Sequence, residues 1–392
     1  MVWIRNTTYT AWMRVLSIIV LVLFGCGDPT SGEPDDMVLG QRFVDDQSFR
    51  RQALVDALVV TDNTYAQTRL ENYAVAGGWD ELPEAAPTAV VNGEAITFEP
   101  VEWTHEAVTD LGRRAFNFLP MRGDPRFSSV ELSPAEARVA GFYEAAGEDG
   151  GLVRTSTGEL AWTCATCHSS SVDGQFVPGR AKPDVDVAAL YRIAGRPNAT
   201  VETWGPGRID PSDDQVNNPS NIPDLRVVRF QDRLHWTGGV QNSLEALAIR
   251  VDTLLIVSSY FKTRPPRQVS FAIAYYLWSL AEDHRAPTPP DAFLTNCARC
   301  HGDGTHPNGV VPWQEIGTDP TLAESPSRGT GGYRVPTLAG VATRGRLTHT
   351  GQFATPSEMF ESGGHVGAGH PFADALSIET RREILTFLRS AR

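Results

Sequence analysis

Two short stretches of this chain place soft sulfur atoms beside an imidazole: Cys164-Ala-Thr-Cys167-His168 and Cys297-Ala-Arg-Cys300-His301. A Cys-x-x-Cys pair can be a redox dithiol, half of a zinc cage, a small disulfide or a pair of haem anchors. Two pairs could share one zinc, but they stand too far apart in sequence for one compact zinc module. A thioredoxin-like dithiol needs one pair in a βαβ setting and has no use for the histidine. A disulfide closed over two residues is strained and staples little. Covalent haem uses every residue of the motif. Each cysteine adds to one vinyl group, the two-residue spacer matches the spacing of the vinyls, and the histidine falls beneath the iron as proximal ligand. The pattern predicts two haem c groups, held at Cys164 and Cys167 and at Cys297 and Cys300, with iron ligated by His168 and His301.

The fifth cysteine has a different setting. Residues 15–24 are an apolar run of export-signal length, with Arg5 and Arg14 before it. Leu23-Phe24-Gly25-Cys26 resembles a bacterial lipobox, in which the cysteine is lipidated. A plain secretory signal is the alternative. Residues 1–25 then form the signal and 26–40 a polar tether, leaving the folded body exported, on the periplasmic side, anchored to a membrane by lipid. No later apolar run is long enough to cross a bilayer.

The elements that hold these motifs come from composition and patterning. Of 392 residues, 41% are hydrophobic and 21% charged, so substantial cores can be buried. The 35 glycines and 27 prolines predict long ordered loops around few regular elements. A net charge of −13 argues against a nucleic-acid partner, which would call for a basic stripe; it suits a solvated face, or steering of a basic protein partner.

A gap-free internal repeat follows each motif. Residues 222–247, "IPDLRVVRFQDRLHWTGGVQNSLEAL", align with 335–360, "VPTLAGVATRGRLTHTGQFATPSEMF", pairing Pro223 with Pro336, Leu234 with Leu347 and Gly238 with Gly351. A repeat this long implies a duplicated unit. Each copy ends in helical pattern, the first in 242–261 and 265–283, the second in 377–390, where Ile384, Leu385, Phe387 and Leu388 share a face. Helices are also predicted at 104–119 and 133–147, the latter opened by Ser133, whose pairing with Glu136 reads as a capping box. Asn92-Gly93 marks the one good hairpin, within 88–100. The fold class expected is mainly α: two tandem cytochrome c-like helical haem domains, 106–284 and 285–392, joined by the linker 284–291. An N-terminal extension, 41–105, carries no chemical signal and is expected to pack on them or on a partner.

From residue 111 to the end the chain resembles the bacterial dihaem cytochrome c peroxidase family. "LGRRAFNF" is similar to its "LG..LF.D" lead-in, "RLHWTGGVQNSLEAL" to "FWDGRA.SLEEQA", and "VPTLAGV…LTHTGQFATPSEMF" to "VPTLRNV…MHDGRFATLEEV". The resemblance implies a first haem that reduces peroxide and a second that takes electrons from a donor. It also places Trp236 between them as an electron-transfer candidate. The departures matter. The family's distal histidine registers with Asp184, its distal-glutamate segment is missing, and its axial methionine registers with Gly363. Arg344 and Arg346 replace residues of its calcium site, so calcium is not expected. His349 matches a family histidine that is not a ligand.

Sixth-ligand candidates therefore come from position alone. His235, next to Trp236, is one for the first haem, against a pocket with no protein ligand. Met359, His365 and His370 are candidates for the second, with solvated loop histidines as the alternative. His105, His284 and His306 read as surface residues. The functional expectation is an exported dihaem c-type cytochrome that passes electrons to or from a redox protein. Its rivals are a peroxidase or a tryptophan-modifying type of oxidase at the first haem, and a zinc or disulfide structural protein.

Overall fold

The structure, a computed structural model, describes residues 34–59, 78–123, 133–210, 216–260, 262–283, 287–326, 328–361 and 370–391. Cys26, His284 and His365, with the signal-like residues 1–25, lie outside them. Among the described residues no helix is long and apolar enough to cross a membrane.

The organising element is the helix Arg267–Ser279, which starts directly after Pro265-Pro266, where a missing N–H costs nothing. Phe271, Ile273, Ala274 and Tyr275 are all buried, so it is apolar around its circumference and other elements must surround it. The helix His105–Phe118 does so, capped by Thr104, whose hydroxyl accepts the Ala107 N–H. The two backbones approach at Gly112, where any Cβ would stand 2.0 Å from the Ala272 carbonyl oxygen. Leu244–Ser258, capped by Ser243, covers another side.

The extension closes this core rather than standing apart. Its helices Pro34–Asp45 and Gln47–Ala57 bury Phe43 and Leu54, and Phe43 meets Phe271 at 5.9 Å between ring centres. The first of these helices begins inside the stretch expected to be tether. Arg50, itself buried, donates to the Phe43 and Val44 carbonyls and to Asp80. Asp80 also meets Arg267, which lies 3.7 Å from Asp252. A buried charge network thus bolts the extension to the central helix.

The mainly-α expectation is overturned. Helix accounts for 41% of residues and strand for 14%, in several small antiparallel sheets, so the fold is mixed α/β. The helical-domain description of the two copies falls with it. The largest sheet has five strands in the order Glu94–Ile96, Ala89–Val91, Val153–Thr155, Leu160–Trp162, Met121–Gly123. Its first pair is the Asn92-Gly93 hairpin read from sequence. A second hairpin, Ser169–Val172 with Gln175–Pro178, turns at Asp173-Gly174, both at positive φ. "Asp-Gly" carried the signal for it. Strands of two to four residues are too short for a period-two pattern to emerge, which is why the rest escaped notice.

The helices read at 104–119, 242–261, 265–283 and 377–390 match closely, whereas the one read at 133–147 stops at Val139. The Ser133–Glu136 capping box forms in both directions, and Ile378–Ser390 buries the four residues named above.

Candidate functional site

The strand Leu160–Trp162 leaves the five-stranded sheet and delivers the chain into the first motif. There Thr163 and Thr166 both donate their hydroxyls to the Gly151 carbonyl, and the Thr163 N–H donates to Thr166 Oγ1. These bonds fold Cys164–His168 into one helical turn. Residues three and four apart share a face of such a turn, so both sulfurs and the imidazole point the same way. Burial pushes both thiols up to about 12 and the His168 imidazole down to about 4.

His168 is held by a single bond that also sets its tautomer. Its Nδ1 lies 3.0 Å from the Pro223 carbonyl oxygen. A carbonyl only accepts, so Nδ1 carries the hydrogen and Nε2 keeps its lone pair, the form that binds metal.

The second motif repeats this device. Asp291–Asn296 leads into Ala298–His301, and His301 Nδ1 donates to the Pro336 carbonyl at 3.1 Å. Burial drives that imidazole down to about 3 and the Cys297 thiol up to about 11. Pro223 and Pro336 are the residues that the internal repeat pairs. Sequence reading placed the histidines but missed the two carbonyls that orient them; their pairing in the repeat was the available signal.

The duplication holds at the level of individual bonds. Leu225 N–H donates to Gly179 and Leu338 N–H to Gly304. The short 3-10 turns Val228–Phe230 and Val341–Thr343 coincide in the alignment. His235 and Thr348 share a left-handed backbone, φ 63° and 66°, as do Gly238 and Gly351 at 66° and 68°.

The copies also grip each other reciprocally. Asn221 N–H donates to the His349 carbonyl, and the matching Arg334 N–H donates to the matching Trp236 carbonyl, at 2.7 and 2.8 Å. Asn221 Nδ2 donates to the Arg346 carbonyl, and Arg334 Nη1 to the equivalent Arg233 carbonyl. Contacts of the form i to j′ and i′ to j define a two-fold relation, here an approximate one within a single chain. Trp236 sits on this seam. Its Nε1 donates to the Asn221 carbonyl, and the Arg334 guanidinium lies over its ring at 5.2 Å.

A cavity opens beside the second motif, with about 1510 Å³ of unfilled space including its mouth. Cys297, Cys300 and His301 line one part, Met359, Phe360 and His370 another, and Trp236, Tyr333 and His349 reach it from the seam. Arg334 and Arg344 line it too; burial lowers them to about 9 and about 10, so both stay cationic near neutrality. The donor set suits a porphyrin: two thiols three residues apart, a neutral imidazole with an available lone pair, apolar walls, and guanidinium groups for its carboxylates.

The alternative chemistries find less support. All four described cysteines are free thiols. Among the described residues no three Cys, His, Asp or Glu side chains converge as a metal cage, so the two pairs do not assemble one four-cysteine zinc site. Asp184, where the peroxidase resemblance would put a histidine, is half exposed and pairs with buried Lys182 at 3.3 Å. His349 stacks on Tyr333 at 3.9 Å. His105 Nδ1 lies 2.5 Å from the Tyr275 hydroxyl, and His306 is exposed beside Asp303.

Compared with protein-family models, with curated proteins and with solved structures, the chain matches none.

Proposed function

We propose that this chain is an exported dihaem c-type cytochrome that transfers electrons through two covalently held haems. One observation carries the reading. Two Cys-x-x-Cys-His turns each present a neutral imidazole locked by Nδ1 onto a repeat-equivalent proline carbonyl. A structural thiol pair has no need of that second feature, whereas an iron ligand does.

Haem bound at each motif would supply a one-electron iron couple. The chain's own part is to orient His168 and His301, to bury them away from water, and to hold the two copies at fixed separation through the Asn221 and Arg334 contacts. Trp236, on the seam and lining the second cavity, is the side chain best placed to couple the two sites. The resemblance of 222–247 and 335–360 to the dihaem cytochrome c peroxidases supports the same assignment of haems. Export belongs to the proposal, because haem is joined to such motifs outside the cytoplasm; the apolar run at 15–24 and Cys26 support it, with a lipid anchor on that cysteine.

The test is expression in a host with secretion and cytochrome-assembly machinery. Mass spectrometry should find two haem adducts, retained on a denaturing gel. A colourless product of bare-polypeptide mass would overturn the proposal. Ferric spectra with and without peroxide then separate carrier from enzyme: a peroxide-dependent spectral change at one haem would replace electron transfer with peroxidase chemistry.

A further inference from the structure

We propose that His370 is the sixth ligand of the second haem iron, opposite His301, which makes this a bis-histidine site. The inference rests on the haem reading above and deepens it. Both imidazoles line the same cavity, and their ring centres stand 6.4 Å apart with the planes inclined by 41°. Two imidazoles bound to opposite faces of one iron should have centres about 6 Å apart, from metal–nitrogen bonds of ~2 Å and roughly 1 Å from each nitrogen to its ring centre. The observed spacing meets that requirement.

The local chain explains how His370 comes to that place. It stands directly before the 3-10 turn Pro371–Ala373, with its side chain taking no part in capping that turn. Phe372 meets its ring edge-on at 5.2 Å, and Phe360 lies at 6.2 Å. Such aromatic walls hold a ring in a fixed orientation without competing for its nitrogens. Two other side chains on the cavity have further contacts of their own. Met359 packs into the cluster formed with the last helix, around Phe387 and Leu388. His349 is stacked on Tyr333.

Ligand identity has a thermodynamic consequence. Thioether ligation raises a haem's potential relative to imidazole, so a second haem ligated by His370 is a stronger reductant than a histidine–methionine site would be.

The experiment uses the full-length holoprotein, with haem stoichiometry measured by mass for every variant. Ferric absorption and electron paramagnetic resonance spectra should show the second haem low-spin, without the sulfur-to-iron charge-transfer band of methionine ligation. In His370→Ala, two haems should remain attached while one haem equivalent turns high-spin, and added imidazole should return it to low-spin. His370→Met should introduce the sulfur band and raise one midpoint potential. Full haem loading with an unchanged low-spin signal in His370→Ala would overturn the proposal, as would loss of that signal in Met359→Leu instead. Absence of haem adducts in the wild-type protein would overturn the haem reading itself, a separate outcome.

Discussion

Asn221 is where the two copies meet, and an isosteric change there tests the seam directly. The residue is 3% exposed, and its Nδ2 donates to the Arg346 and Thr348 carbonyls at 3.0 and 3.1 Å. Asn221→Ala removes two hydrogen bonds of net worth ~0.5–1.5 kcal/mol each, so about 1–3 kcal/mol is lost. Asn221→Asp keeps the shape but replaces the donating NH₂ with oxygen, facing two carbonyl oxygens in a buried site. An uncompensated buried charge costs about 3–5 kcal/mol, so the aspartate should be the worse variant. Urea unfolding followed by far-UV circular dichroism measures both. With a slope near ~3 kcal/mol per M, the midpoint should fall by up to about 1 M for alanine and by roughly 1–1.7 M for aspartate.

The aspartate variant has a pH signature as well. Burial and the facing carbonyls raise its carboxyl pKa in the folded state above the unfolded value. A raised folded pKa means that stability is intact below the unfolded pKa and is lost as pH rises through the folded one. The gap between the two variants should therefore close in acid and widen toward neutrality. An aspartate variant as stable as alanine at pH 7, or both within ~0.5 kcal/mol of wild type, would refute the account of the seam.

Three further outcomes follow from other parts of the molecule. Gly112→Ala should destabilise by about 1–3 kcal/mol through the clash with the Ala272 carbonyl, against a helix-propensity gain of up to ~1 kcal/mol; thermal unfolding reads the sign. Burial would raise the Asp110 carboxyl, but Arg113 and Arg114 outweigh it and hold the group below its ordinary value. Its contribution is present above the unfolded pKa and lost as pH falls through the folded one. Arg114→Gln should therefore lower stability at neutral pH by about 0.3–1 kcal/mol, and the difference should vanish in acid titrations. Cys297→Ala with Cys300→Ala should remove one haem mass and keep the other, which intact-mass measurement resolves.

How much of this was legible in the sequence varies by scale. The Cys-x-x-Cys-His motifs and the repeat could be read because each rests on residue identity: two cysteines and a histidine at fixed spacing, and matched Pro, Leu and Gly positions. The helices were legible through apolar pattern, as on the shared face of Ile384, Leu385, Phe387 and Leu388, and through the Ser133–Glu136 capping box. Most of the strands were not, because a two-residue ladder such as Arg208–Ile209 with Ser220–Asn221 is set by what the folded loops bring together. The same holds at the second site. Sequence put Met359, His365 and His370 in one loop region without ranking them, and only the fold places an imidazole of that region across from His301. The extension carried no chemical signature, yet Arg50 and Phe43 make it part of the main core, since burial is decided by the partner surface as much as by local pattern.

The mirrored bonding of Asn221 and Arg334 bears on how the molecule can move. A hinge needs one end of a contact to stay shut while the other swings open. Here an equivalent clasp stands on either side of the axis, so swinging about one clasp tears the other. Breathing of one half against the other is thereby suppressed, and the spacing of the two Cys-x-x-Cys-His turns stays constant. On the proposed haem reading, control over a current would fall to the ligands at each iron, and not to any change in the distance between them.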